Sequence, residues 1–66
     1  MKITLNGQEK ILSAPTSLSQ LIAQTVKNPS HVIAELNGKI LTSSLWPGVH
    51  IQDGDVLELV TFVGGG

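Results

Sequence analysis

Cysteine, tyrosine and arginine are all missing from this 66-residue chain. Without cysteine there is no disulfide, no thiolate metal site and no cysteine nucleophile, so a chain this small must be held by packing alone. The aromatics reduce to Trp46 and Phe62, and four lysines are the whole cationic complement apart from two histidines. That is too few stacking rings, and no basic stripe, for a surface that tracks a nucleic-acid backbone. Long apolar runs are lacking too. Nothing approaches the roughly 18–20 residues that span a bilayer, and the stretch from Met1 to Gly7 has no signal-peptide core, so no membrane role and a cytoplasmic location are expected. What remains is a globular balance, 41% hydrophobic and 14% charged with a formal net charge of -1, too apolar for a disordered tail. A chain of this length forms one domain and buries only about 60% of its unfolded surface. A core and an enclosed substrate pocket do not both fit.

Met1 to Leu5 alternates, with Ile3 and Leu5 on one side and Lys2 and Thr4 on the other, the period of a half-buried strand. Asn6-Gly7 follows, a pair that tolerates the positive φ of a type I′ hairpin turn, and Gln8 to Leu12 returns as the second strand with Ile11 or Leu12 turned inward. Ser13 to Thr16 breaks the pattern. Ser17-Leu18-Ser19-Gln20 then has capping-box spacing, and Leu18, Leu21, Ile22 and Val26 make a single apolar stripe, so a helix starts there and ends near Val26 or Lys27, ahead of Asn28-Pro29. His31 to Leu36, the turn Asn37-Gly38, and Lys39 to Leu41 read as a second hairpin. After a polar connector, Trp46 is expected to plug the open end of a small core. Val56 to Val63 is the last strand. Leu57, Leu59 and Thr61 share one side of it, and Glu58, Val60 and Phe62 the other.

Few residues invite a chemical reading. His31 and His50 are the only candidate general bases, and neither has a nucleophile or ligand set beside it, so His31 is taken as a strand-edge residue. The carboxylates of Asp53 and Asp55 lack the roughly twelve-residue loop and closing glutamate of a calcium-binding hand, and read as a turn launching the final strand. Glu58 is costly to bury unpaired, so Leu57 and Leu59 are assigned to the helix side, leaving Val60 and Phe62 outward beside the Gly64-Gly65-Gly66 tail as a docking patch. The order of elements predicts an α+β chain with a mixed sheet on one helix. Its final strand lies parallel to its first across a long crossover, the β-grasp arrangement. The domain is placed at residues 1–63, with 64–66 as a flexible tail.

Asn37-Gly38-Lys39-Ile40-Leu41 followed by Trp46, then Asp53-Gly54-Asp55-Val56, then Phe62-Val63-Gly64-Gly65-Gly66 together resemble the ubiquitin-like sulfur carrier proteins, most closely the ThiS type of thiamin thiazole biosynthesis. The resemblance covers essentially the whole chain. It departs where many relatives have Pro-Arg after the fourth strand and this chain has Thr42-Ser43. The resemblance implies a carrier that binds no cofactor of its own and is not an enzyme. A ThiF-like adenylating enzyme would use ATP and Mg2+ to activate the Gly66 carboxylate. Sulfur from a cysteine desulfurase would convert it to a thiocarboxylate, and thiazole synthase would take that sulfur. Carried over by position, Gly66 is the modified residue, Gly64 and Gly65 thread the partner's channel, and Val60, Phe62 and Val63 contact partners, the free protein being monomeric. Two alternatives stand beside it: the small subunit of molybdopterin synthase, a carrier of the same fold, and a ubiquitin-like interaction domain that never uses its carboxylate.

Overall fold

The computed structural model describes residues 1–62. Two hairpins bracket the one α-helix among the described residues. Strands β1 (Lys2–Leu5) and β2 (Gln8–Ile11) are joined by Asn6-Gly7, and β3 (Val32–Leu36) and β4 (Lys39–Leu41) by Asn37-Gly38. At both turns the two central residues have positive φ, 50° and 80° in the first and 52° and 85° in the second, the type I′ geometry predicted from the Asn-Gly pairs. Strand β5 (Val56–Thr61) runs up the middle, parallel to β1 on one side and antiparallel to β3 on the other, giving the sheet order β2-β1-β5-β3-β4. This is the β-grasp arrangement.

Helix α1 (Leu18–Thr25) begins where the capping box places it. The backbone N–H of Gln20 donates to Ser17 Oγ at 3.1 Å, and the N–H of Ser17 donates to Gln20 Oε1 at 2.9 Å, so two free donors of the first turn are satisfied reciprocally. Its stripe of Leu18, Leu21 and Ile22 is fully buried against Ile3, Ala34 and Leu57 of the sheet, with Val26 packed at the margin. Trp46 is the expected plug, 5% exposed, on an irregular 3-10 segment from Ser43 to Gly48. Its indole N–H donates to the Leu41 carbonyl at 3.0 Å, so the ring is buried without an unpaired donor.

Five element ends differ from the sequence reading by a residue or two, the first being the start of β1 at Lys2 instead of Met1. The helix stops at Thr25, with Val26 already extended as its cap. The second strand stops at Ile11, which is exposed, and Leu12 is the inward residue; its N–H donates to the Met1 carbonyl after the regular ladder has ended. His31 closes a 3-10 turn, Pro29–His31, instead of opening the third strand. That turn also shortens the last strand: Thr61 is opposite Val32, and beyond it β5 has no extended partner to pair with, so Phe62 lies outside the strand.

The central strand is gripped from both sides by the turn asparagines. Asn37 Oδ1 accepts the Val56 N–H at 2.8 Å, and Asn6 Oδ1 accepts the Leu59 N–H at 2.7 Å. Asn37 Nδ2 donates to Asp55 Oδ1 at 2.9 Å, while Asp55 Oδ2 accepts the Gln52 N–H at 2.7 Å. Asp55, the one buried charged residue among those described, is thus fully engaged in closing the turn ahead of β5.

Candidate functional site

Leu57 and Leu59 face the helix. Leu57 is fully buried and Leu59 packs at the edge of the core, so Glu58 and Val60 project from the other side of the sheet. Residues paired across neighbouring strands share a face, and the register therefore sets out the whole outer surface. Val60 pairs with Ile33, Glu58 with Glu35, and Glu35 in turn with Ile40 on β4. Val60, Ile33 and Ile40 are 58%, 45% and 69% exposed, too open to belong to the core. Phe62 continues on from this surface, 41% exposed, its ring centroid 5.8 Å from that of His31 and tilted by 41°, while its N–H donates to the His31 carbonyl at 2.9 Å. The structure thus places Val60 on the outer face and Phe62 beside His31, just past the end of β5. The sequence calls on Val63, Gly64, Gly65 and Gly66 lie outside the described residues.

Ile33 and Ile40 extend the patch and were not singled out in the sequence. For Ile33 the signal was present: in Val32–Leu36 it has the opposite parity to the buried Val32 and Ala34. For Ile40 it was not, because a three-residue strand is too short to show which face its middle residue takes.

Of the remaining chemical candidates, His31, Asp53 and Asp55 have side-chain partners, and His50 is joined by its backbone to Ser17. The hydroxyl of Ser17, next to His50 across an isolated bridge, accepts the Gln20 N–H as the helix cap. His31 Nδ1 is 3.4 Å from Asn28 Nδ2. Asp53 Oδ1 accepts the Lys2 N–H at 2.7 Å, fastening the turn before β5 to the first strand. Among the described residues no group of three or more His, Asp or Glu is placed to hold a metal ion, and no helix is long and apolar enough to cross a membrane.

The sequence as a whole is matched by a known family. The ThiS family model aligns with residues 3–66, nearly the full sequence and through the terminal glycines. The chain belongs to the ThiS family. Among solved structures, the crystal structure of a thiamine biosynthesis protein (ThiS) from Geobacter metallireducens superposes with a TM-score of 0.85 at 30% identity, each chain covered in full. Among curated proteins, one named thiazole synthase from Paramagnetospirillum magneticum is 36% identical over all 66 residues, and the ThiS-family chain spans only 20% of that protein's length. A protein of Pyropia yezoensis, ycf40, is also 36% identical over the same 66 residues, which make up 93% of its length.

Proposed function

We propose that this ThiS-family chain is a sulfur carrier in thiamin biosynthesis, with the Gly66 carboxylate as its reactive group. The observation that carries the reading is the family match running through Gly66, on a fold whose central strand β5 ends at Thr61, five residues before it in sequence. A carboxylate is a poor electrophile because its leaving group would be oxide. In the proposed cycle a ThiF-like enzyme, using ATP and Mg2+, lets the Gly66 carboxylate oxygen attack the α-phosphate and release pyrophosphate. Persulfide sulfur derived from cysteine then attacks the acyl carbon, forming a C–S bond as the C–O bond breaks and AMP departs with the electron pair, and a second thiol supplies the two electrons that cleave the resulting acyl disulfide. The product is a thiocarboxylate, which delivers its sulfur to thiazole synthase. The thiazole synthase name of a relative that contains a segment like this chain supports that last partner.

The chain's own contribution is reach and access. Glycine has no Cβ, so Gly64-Gly65-Gly66 suits a channel too narrow for side chains, from which water is kept away from the acyl-adenylate. The protein binds neither nucleotide nor metal in this scheme; both belong to the adenylating partner. Incubation with a ThiF-type enzyme, ATP, Mg2+, cysteine, a cysteine desulfurase and a thiol reductant tests the reading by mass spectrometry of the C-terminal peptide. A sulfur-for-oxygen mass gain on that peptide is expected. An unchanged peptide, from a protein that still binds its partner, would instead identify a ubiquitin-like interaction domain.

A further inference from the structure

Glu35 and Glu58 lie directly opposite one another on β3 and β5, both exposed. Cβ atoms of such a pair are roughly 4.5–5.5 Å apart, and like charges placed that way destabilise a sheet. A chain with only five acidic residues has nevertheless placed two of them together at its centre. No cation of this chain offsets them. Lys10 shares the helix-side face of the sheet with Ile3, and Lys39 shares it with Leu36. Lys27 follows the helix. Lys2 is on the outer face of β1, two residues before the Thr4 that pairs with Val56, so it is level with the turn ahead of β5 and not with Glu58; it lies 3.8 Å from Glu9, in the one ion pair found among the described residues. The carboxylates are framed by apolar groups: Val60 and Ile33 in the row on one side, Val56 two residues away on the other, and Ile40 at the end of their own row.

We propose that the outer face of β5-β3-β4 is a docking surface for a partner protein that inserts an arginine between Glu35 and Glu58, with apolar side chains closing over Ile33, Ile40 and Val60. This inference rests on the carrier reading and names the chemistry of the adenylating partner's contact. A planar guanidinium has enough donors in a fixed fork to serve two carboxylates at once, which a lysine ammonium does less well. The apolar frame excludes water as the surfaces meet, so the attraction strengthens on docking, while the exposed acids steer the approach beforehand. The position fits the reaction as well. Gly66 is six residues past Val60, at most about 22 Å of extended chain, so a partner seated here can receive the tail in the same encounter.

The test is a calorimetric titration of the full chain with the ThiF-type adenylating enzyme of the same organism, at low and at high ionic strength. Glu35→Gln/Glu58→Gln is expected to weaken binding by about tenfold or more at low salt and to remove most of the salt dependence. Val60→Ala should weaken binding similarly at both. The melting temperature of the double variant should not fall, because the change relieves a like-charged pair. A double variant that binds within about twofold of the parent, or keeps the parent's salt dependence, overturns the proposal. Thiocarboxylate formation on the parent chain keeps the two readings apart. If the parent is thiocarboxylated and the double variant binds unchanged, only the arginine contact fails; if the parent is never thiocarboxylated, the carrier reading fails and takes this inference with it.

Discussion

Asn6 and Asn37 each do two things that no other described residue does together. Each accepts a positive φ, 50° and 52°, and each turns its side-chain oxygen onto a backbone N–H of the central strand. Gly38 has only the first task. At φ 85° an added Cβ meets nothing within 4 Å, so any cost of a side chain there comes from the backbone alone. Gly38→Val is expected to destabilise the domain by about 1–3 kcal/mol through a β-branched residue held at positive φ, and a thermal melt measures it. An unchanged melting temperature would mean that the hairpin has re-formed around another turn. Both turns were legible in the sequence because Asn-Gly restricts its own conformation. The second role of the asparagines was not, since it depends on a strand about twenty to fifty residues away, at separations of 19 and 53.

At the scale of elements, β5 has one face in the core and one in solvent, and a substitution on each should report on a different property. Leu57 is fully buried in the core cluster, and Leu57→Ala is expected to cost about 2–5 kcal/mol. That is a large share of the roughly 3–10 kcal/mol available to a chain of this length, so chemical denaturation should show a largely unfolded protein. Leu59, partly buried at the rim, should cost less. Phe62→Ala should leave the denaturation midpoint nearly unchanged while weakening the complex with the adenylating enzyme by about 1–3 kcal/mol, as for an aromatic anchor. If Phe62→Ala unfolds the protein, its ring belongs to the fold and the docking patch ends at Val60. The helix, the hairpins and the two faces of β5 could be read from capping and periodicity, which are local. The segment from Ser43 to Ile51 could not, because its path is set by Trp46 reaching the Leu41 carbonyl and by Ile51 donating its N–H to Thr16. The Glu35–Glu58 pairing was hidden for a related reason: register between β3 and β5 is a property of two distant strands.

For the molecule as a whole, the carrier reading gives folding and function to different parts of the chain, so they should separate experimentally. Removing Gly66, or adding one residue after it, shifts the carboxylate by about 3.3–3.6 Å. Either change is expected to abolish thiocarboxylate formation, read by mass spectrometry, with no change in the melting curve. Full activity with an added, unprocessed residue would rule out a terminal carboxylate as the reactive group. The grip of the turn asparagines on β5 has a consequence of another kind, in how the protein ages. Asn followed by Gly is chemically fragile, because the glycine nitrogen can attack the unhindered side-chain amide and convert it to an acid. In the folded chain both amide oxygens are held by backbone N–H groups, so this reaction waits on local opening. Conversion at Asn37 would replace the amide that donates to Asp55 with a carboxylate facing a carboxylate, and the turn could not close again as before. Each opening that ends in this damage is therefore irreversible, and the fraction of deamidated Asn37 in a stored sample should serve as a running record of how often the second hairpin has come undone.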